Sequence, residues 1–167
     1  MARAALDELK LDKILWMPTG SPRYRKPAVA SPEHRLAMLR LALGSESRYE
    51  IDARELAPQA SAYTVDALQG LRAELGPQAT LYLLLGADQY SKFETWHRPR
   101  DVERLARIAV FARPGFAPAR GDAIHVAFEP LAISGSEIRA RAARGEDISA
   151  LMPAPVANYI ARHGLYA

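Results

Sequence analysis

The stretch ATLYLLLGADQY, residues 79–90, gives the clearest indication of the fold. Residues 79–86 are apolar on both faces of an extended chain, which is typical of a strand in a parallel sheet that helices cover on both sides. Gly86 ends this apolar run, and Asp88 follows it. A carboxylate at this position of a doubly wound fold accepts ribose hydroxyls, although an aspartate that simply caps the next helix is the commoner case. The stretch therefore predicts an α/β protein and leaves both roles open for Asp88.

The rest of the sequence alternates between strand and helix patterns. Strands are predicted within residues 13–18, 49–52, 107–115 and 123–130, and helices within residues 2–10, 32–43, 64–75, 136–143 and 155–162. Ser31 and Thr64 are the expected caps of their helices. This alternation predicts a parallel sheet between layers of helices. With 167 residues and no linker or repeat, we expect a single domain over residues 1–167.

Composition excludes several classes of protein. The formal net charge is +3 without a run of like charges, which suits a small anionic ligand at least as well as a nucleic acid. There is no cysteine, so disulfides, thiolate metal sites and a thiol nucleophile are excluded. The four histidines lack metal-ligand spacing, and no Walker loop occurs. No apolar stretch approaches the roughly 20 residues of a membrane helix, and residues 1–10 do not resemble a secretory signal. We expect a soluble cytoplasmic protein without a membrane or nucleic-acid partner.

The segment ISGSEIR, residues 133–139, begins a helical pattern with two hydroxyls, a glycine and an arginine. Free backbone N–H groups and the positive end of a helix bind anions. Arg139 lies three residues beyond Ser136, so its guanidinium can turn back over the same helix end and bind phosphate oxygens. A plain serine cap with a solvated arginine is an equal alternative.

Two further features have a functional and an ordinary interpretation. RYRKP, residues 23–27, places Arg23, Arg25 and Lys26 in a loop that could close on polyphosphate, although such clusters are commonly only solvated surface. Trp96 could stack on a flat heteroaromatic ring, although a core position is commoner for tryptophan.

Five blocks in order resemble one family. They are ILWMPTGSPRYRKP from residue 14, RELAPQASAYTVDAL from 54, LLLGADQYSKFETWHR from 83, ARIAVFARPG from 106 and ISGSEIRARAARGEDISALMPAPVANYIARHGLY from 133. Together they resemble bacterial nicotinate-nucleotide adenylyltransferases, which have a Rossmann-like nucleotidyltransferase fold. The resemblance implies that nicotinate mononucleotide attacks the α-phosphate of ATP, giving deamido-NAD and pyrophosphate in NAD biosynthesis, with Mg²⁺ on the phosphates.

The resemblance also implies roles for individual residues. ATP would contact Gly86, Asp88, Ile133, Ser134, Ser136 and Arg139, with the two serines and Arg139 on the phosphates and Gly86 and Asp88 on ribose. The nicotinate substrate would contact Arg25, Lys26, Tyr63, Thr64 and Trp96, with Trp96 stacked on the pyridine ring and the segment around Thr64 on its carboxylate. Arg139 and Lys26 would be the catalytic cations. The family commonly has threonine in place of Ser136, an exchange that keeps the hydroxyl.

The family's loop G-x-F-D-P-x-H-x-G-H, with two histidines that bind ATP phosphates, is not found in the sequence. The strand before that loop is central in the family's sheet, so we expect a gap flanked by apolar strands. A late start, a fragment or a diverged member would each explain this, and a late start is favoured because the first helix has no cap. We therefore expect the 167-residue polypeptide to be poorly folded or nearly inactive.

Two groups of alternatives stay open at this point. A related adenylyltransferase would act on nicotinamide mononucleotide or phosphopantetheine instead. Backbone N–H groups near Thr64 with no nearby acid would favour nicotinate over these substrates. A non-catalytic nucleotide-binding module is the alternative from another class. The sequence does not determine whether the protein forms a homo-oligomer.

Overall fold

The computed structural model describes residues 1–20, 29–116, 121–129 and 133–167. In chain order the elements are α1 (Ala2–Glu8), β1 (Ile14–Trp16), α2 (Pro32–Leu43), β2 (Tyr49–Ile51), α3 (Thr64–Leu75), β3 (Tyr82–Gly86), α4 (Ala87–Tyr90), α5 (Pro99–Leu105), β4 (Arg107–Phe111), β5 (Ile124–Val126), α6 (Gly135–Ala143) and α7 (Ala154–Arg162). Short 3₁₀ turns lie at Arg54–Leu56, Phe93–Thr95 and Ser149–Leu151. The predicted alternation of strands and helices is confirmed.

The described strands form two sheets. β1 and β2 make a two-stranded sheet, and β3, β4 and β5 make a three-stranded sheet in that order. β3 and β4 run parallel with Tyr82 opposite Arg107 and Gly86 opposite Phe111, so these two strands end side by side. β4 and β5 are also parallel. The residues that follow β3 and β4 therefore meet at one edge of the sheet.

The chain divides into two compact units. The first contains Met1–Ile14 and Ser61–Pro130, and the second contains Leu15–Ala60 and Leu131–Ala167. The single domain expected from the sequence stays a prediction. None of the described helices is long and apolar enough to span a membrane.

The core of the first unit lies on the three-stranded sheet. Ile108 and Val110 of β4 belong to a buried cluster with Val65 and Leu68 of α3 and Val102 of α5. The alternate residues of β4, Ala109 and Phe111, are buried as well, and Phe111 packs edge-on against Phe128 with the ring centroids 5.9 Å apart. Since successive side chains of a strand point to opposite faces, β4 is covered on both sides, as its apolar sequence predicts.

Arg72, near the end of α3, donates hydrogen bonds to backbone carbonyls of three neighbouring segments. Its Nη1 donates to the carbonyls of Gly76 at 3.1 Å and Ala79 at 2.5 Å, and its Nη2 donates to the carbonyl of Leu105 at 3.0 Å. The last carbonyls of a helix have no partner within the helix and need one from elsewhere. Arg72 therefore links the end of α3, the approach to β3 and the last residue of α5.

The second unit is built on α2, α6 and α7. Ile148, Val156 and Ile160 form its buried apolar cluster, and the partly buried residues packed against them are Met38, Ile138, Ala142, Met152, Leu165 and Tyr166. A polar contact joins α2 to α7, since His34 Nδ1 lies 3.0 Å from the Tyr159 hydroxyl. α6 is thus held through Ile138 and Ala142, which lie one helical turn apart on the same face.

Candidate functional site

The polar side of the α6 start is exposed because the helix packs through Ile138 and Ala142. Ser134, Ser136 and Arg139 are exposed, and Ile133 beside them is 38% exposed. Ser134 is the N-cap residue, and its hydroxyl oxygen accepts from the Glu137 N–H at 3.1 Å. The ordinary interpretation of ISGSEIR as a serine cap is therefore correct for Ser134. Capping uses a lone pair of the hydroxyl, so the hydroxyl proton can still be donated to a ligand.

Arg139 turns back over the first turn of α6, as its spacing from Ser136 predicts. Its Nη2 donates to Ser136 Oγ at 3.2 Å, and a Cβ placed on Gly135 would lie 3.2 Å from its Nη1. No carboxylate within the described residues pairs with Arg139, whereas Arg141 of the same helix pairs with Glu137 at 2.8 Å. A cation, two hydroxyls and the N–H groups of the helix start thus lie together on the exposed surface. Such an arrangement can bind phosphate.

Gly86 and Asp88 lie at the carboxyl edge of the three-stranded sheet. The N-cap of α4 is Gly86 and α4 has no side-chain cap, so Asp88 does not have the capping role that was its alternative. The Asp88 carboxylate instead accepts from Arg113 Nη1 at 3.2 Å. A Cβ on Gly86 would lie 2.6 Å from Asp88 Oδ1, a contact closer than real Cβ atoms make. Glycine is therefore needed if the carboxylate is to keep this place.

The predicted aromatic site residues of the first unit contact other rings of the chain, and their roles toward a ligand stay predictions. Tyr63 and Trp96 are both partly buried against the apolar core. Trp96 contacts Phe93, with ring centroids 5.5 Å apart and the rings tilted by 53°. Tyr63 stacks on His97 at 4.3 Å with an angle of 30° between the rings. His97 was not predicted as a site residue, and only its place directly after Trp96 could have indicated it.

Two strained residues flank the Tyr63 and His97 stack. Ala62, before Tyr63, has φ +57°, and Arg98, after His97, has φ +54°. For residues other than glycine this left-handed conformation costs about 1–3 kcal/mol and is concentrated at functional sites. The backbone on either side of the stack is therefore held in a conformation that the local sequence does not favour.

Thr64 does not cap α3, contrary to the prediction. It is the first helical residue, the N-cap is Tyr63, and no side-chain cap is formed. The reason is that Ser61 organises this turn: its hydroxyl accepts from Tyr63 N–H at 3.2 Å and donates to the Asp66 carboxylate at 2.5 Å. Asp66 also places an acid in the first turn of α3, where selectivity for nicotinate was predicted to need no nearby acid. Its bond to Ser61 occupies one carboxylate oxygen but does not remove the charge, so this condition for nicotinate selectivity is not met.

Two predicted site residues have no described position, and the partner of a third was not predicted. Arg25 and Lys26 lie outside the described residues. Arg113 was missed although it follows β4 as Asp88 follows β3, and the in-register pairing of the two strands brings them together. The arrangement of parallel strand ends was the signal that could have found it. Asp88 with Arg113 belongs to the first unit, and Ser136 with Arg139 belongs to the second.

The sequence and the fold both match known proteins. The profile of the cytidylyltransferase-like family matches residues 1–141. A relative from Laribacter hongkongensis, named "Probable nicotinate-nucleotide adenylyltransferase", is 40% identical over 190 residues, covering 99% of this chain and 86% of the relative. A relative of the same name from Bordetella petrii is 41% identical over 178 residues, covering 99% and 89%.

Solved structures are similar at lower sequence identity. The nicotinic acid mononucleotide adenylyltransferase of Plasmodium falciparum, solved as a complex with NaAD, superimposes with a TM-score of 0.78 at 19% identity, covering 98% of this chain and 89% of that chain. A protein from Vibrio parahaemolyticus described as a putative nicotinate-nucleotide adenylyltransferase has a TM-score of 0.69 at 17% identity, covering 98% and 85%. At these identities the structures establish the fold alone.

Fold and profile together define the class, a cytidylyltransferase-like nucleotidyltransferase with a Rossmann-like fold. Within that class, the chain belongs to the family of nicotinate-nucleotide adenylyltransferases. The resemblance drawn from the five sequence blocks is thereby confirmed.

Proposed function

We propose that the protein transfers AMP from ATP to nicotinate mononucleotide, forming deamido-NAD and pyrophosphate in NAD biosynthesis. The observation that carries the proposal is the start of α6, where Arg139 folds back on Ser136 and has no carboxylate partner within the described residues. The names of the relatives support the same reaction. Since this reaction uses ATP, we also propose that the protein works in the cytoplasm.

The geometry of the α6 start is suited to positioning the phosphates of ATP and neutralising their charge. In-line transfer between phosphates depends mainly on positioning and on neutralising charge that develops in the transition state. Arg139 would neutralise that charge, while the hydroxyls of Ser134 and Ser136 and the helix-end N–H groups would orient the phosphates. Ile133 would contact ATP beside them. Lys26 is proposed as a second cation at the phosphates.

The remaining contacts are assigned within the same proposal. Asp88, with Gly86, would accept the ribose hydroxyls of ATP at the sheet edge. The nicotinate substrate would contact Tyr63, Thr64, Trp96, Arg25 and Lys26. Trp96, which is partly buried and lies against Phe93, would stack on the pyridine ring.

Mg²⁺ fits this proposal as a companion of ATP. Within the described residues, no group of three or more histidines, cysteines, aspartates or glutamates could hold a metal ion. Mg²⁺ commonly binds through substrate phosphates with few protein ligands, so the phosphate oxygens of ATP would hold it. When bound it would supply further neutralisation of phosphate charge. Asp88 is not assigned to the metal because its carboxylate is paired with Arg113.

The proposal is tested by turnover and by binding on the purified chain. Pyrophosphate release is measured with ATP and Mg²⁺ and, in separate reactions, nicotinate mononucleotide, nicotinamide mononucleotide or phosphopantetheine, and the adenylylated product is identified by mass. Calorimetry measures ATP binding in parallel. Because the two family histidines are not found in the sequence, we expect release to be slow, and to be fastest with nicotinate mononucleotide. ATP binding without release from any of the three would overturn the transferase proposal and support a nucleotide-binding module.

A further inference from the structure

The Asp88 carboxylate presents two oxygens with different surroundings. Oδ2 accepts from Arg113 Nη1 at 3.2 Å and from Gln89 Nε2 at 3.4 Å. Oδ1 lies over Gly86, so close that a Cβ there would be 2.6 Å away. Within the described part of the chain, no donor is bound to Oδ1. Oδ2 is thus hydrogen-bonded within the protein, and Oδ1 is available to accept a hydrogen bond from a ligand.

The pairing with Arg113 contributes little to stability. The Arg113 side chain is 46% exposed and the Asp88 side chain 23% exposed. Ion pairs in such surroundings contribute little to the free energy of unfolding, because water screens the attraction and both side chains lose conformational freedom. The pairing does, however, fix the direction of the carboxylate, since a charged donor selects one rotamer. Orientation, rather than stability, is the main physical effect of this contact.

The backbone makes this orientation reproducible. Gly86 pairs with Phe111 in the parallel ladder, so Asp88 and Arg113 both stand two residues beyond a fixed pair. Gly86 carries no Cβ that would push Oδ1 away. Two strand ends and one glycine therefore set the position of a single oxygen atom.

We propose that Arg113 is a positioning residue that turns Asp88 so that Oδ1 accepts a ribose hydroxyl of the adenine nucleotide. The inference rests on the proposed function and adds a determinant of selectivity for ribose over deoxyribose. Arg113 acts through Asp88 and does not itself contact the ligand. Its removal weakens binding only of nucleotides that carry the hydroxyl that Asp88 recognises.

The test measures binding of ATP, 2′-deoxy-ATP and 3′-deoxy-ATP to the full chain by calorimetry, without the second substrate. The wild type is expected to bind ATP more tightly than at least one deoxynucleotide. In Arg113→Gln, affinity for ATP falls about tenfold, which is the size expected from one misplaced hydrogen bond to a charged group. Affinity for that deoxynucleotide stays as it is in the wild type. Arg113→Lys, which keeps the charge, recovers part of the discrimination.

Two further variants separate positioning from a general loss of charge or of folding. Arg104→Gln removes an exposed ion pair of the same unit, with Asp101 at 3.0 Å, and leaves all three affinities unchanged. Asp88→Asn is expected to abolish the discrimination, and adding Arg113→Gln to it has no further effect, because the two residues act on one hydroxyl. Circular dichroism and thermal melting confirm that each variant is folded.

Each contrary result overturns the inference. Equal weakening of ATP and deoxynucleotides in Arg113→Gln would show that Arg113 contacts another part of the ligand. Unchanged nucleotide affinities in Arg113→Gln would show that the contact between Arg113 and Asp88 is a surface ion pair without a role in binding. A wild type that does not bind ATP, or does not distinguish it from either deoxynucleotide, would remove the role of Asp88. Retained discrimination without pyrophosphate release would instead refute the proposed function and leave the inference standing.

Discussion

The starts of α2 and α6 have similar sequences but different surroundings. Both begin with a serine cap: Ser31 accepts from His34 N–H at 3.4 Å, and Ser134 accepts from Glu137 N–H at 3.1 Å. Both carry an arginine shortly after the cap. Arg35 donates to the carbonyls of Thr19 at 2.5 Å, Ala30 at 3.3 Å and Gly20 at 3.3 Å. Arg139 has only the Ser136 hydroxyl as a partner within the described residues.

This difference shows when a polar helix start is structural and when it is available to a ligand. In α2, backbone carbonyls use the donors of the arginine, so the charge is occupied. In α6, the arginine is exposed, and within the described part of the chain only the Ser136 hydroxyl accepts a hydrogen bond from it. A helix start can therefore be assigned to a ligand only after the partners of its cation are known.

The largest effect is expected from removing the α6 cation. Arg139→Ala should lower kcat/KM for pyrophosphate release by about 100-fold or more, the size seen when a group that stabilises transition-state charge is lost. The thermal midpoint should hardly change, because Arg139 is exposed and has no ion pair within the described residues. Initial rates at varied ATP and thermal melting measure the two quantities.

Arg141→Ala is the matched control for that experiment. It removes an arginine of the same helix, together with its ion pair to Glu137 at 2.8 Å. Its kcat/KM should stay within about twofold of the wild type, since an exposed pair of this kind contributes little. Equal losses of activity in the two variants would mean that only the net charge of α6 matters and would break the comparison with α2.

The next largest effect is on stability and belongs to α2. Arg35→Ala should lower the free energy of unfolding by about 2 kcal/mol, because three carbonyls lose a charged donor and Ala30 is buried. Urea denaturation with an unchanged m-value measures this loss. Arg40→Ala, an exposed change on the same helix, should stay within about 0.5 kcal/mol of the wild type. If Arg35→Ala is no less stable than Arg40→Ala, the structural role given to Arg35 is incorrect.

The two serine caps provide a more exact comparison. Ser31→Ala and Ser134→Ala should each lower stability by about 1 kcal/mol, since each removes the acceptor for one helix-end N–H. Only Ser134→Ala should also weaken ATP binding, by about three- to tenfold. Ser134→Thr, which keeps the hydroxyl, should retain both properties. A similar loss of ATP affinity in both variants would indicate that the effect follows helix stability and not a contact with phosphate.

Some of this could be predicted from the sequence, and some depended on contacts between distant residues. The apolar run of residues 81–85 predicted the parallel strand β3, although only Leu85 of that strand is buried. The spacing of Ser136 and Arg139 predicted the folded-back guanidinium. Local pattern could not show that Arg113 pairs with Asp88, because 25 residues separate them and only the β3 to β4 register joins them.

The prediction that Thr64 caps α3 was wrong for a different reason. A preceding serine organises that turn through its hydrogen bonds, so a threonine at the right spacing is not needed as the cap. Similarly, the sequences of Ser31 to Arg35 and Ser134 to Arg139 are alike, and nothing in them shows that carbonyls as distant as Thr19 satisfy only the first arginine. Sequence identifies the polar groups, while tertiary contacts determine which of them stay available.

The smallest effect concerns the hydroxyl proton of each cap. In α2 the Ser31 hydroxyl donates to the Glu33 carboxylate, and this hydrogen bond lowers the pKa of Glu33. A carboxylate with a lowered pKa stabilises the fold above its unfolded pKa of about 4.3, and this contribution is lost as the pH falls through the folded value. NMR titration should find the pKa of Glu33 below its ordinary range in the wild type and raised toward it in Ser31→Ala. Glu33→Gln should correspondingly remove a small part of the acid-dependent change in melting temperature. If Glu33 titrates at the same pH with and without the Ser31 hydroxyl, the proton of Ser31 is as available as that of Ser134, and the distinction between the two caps rests on their arginines alone.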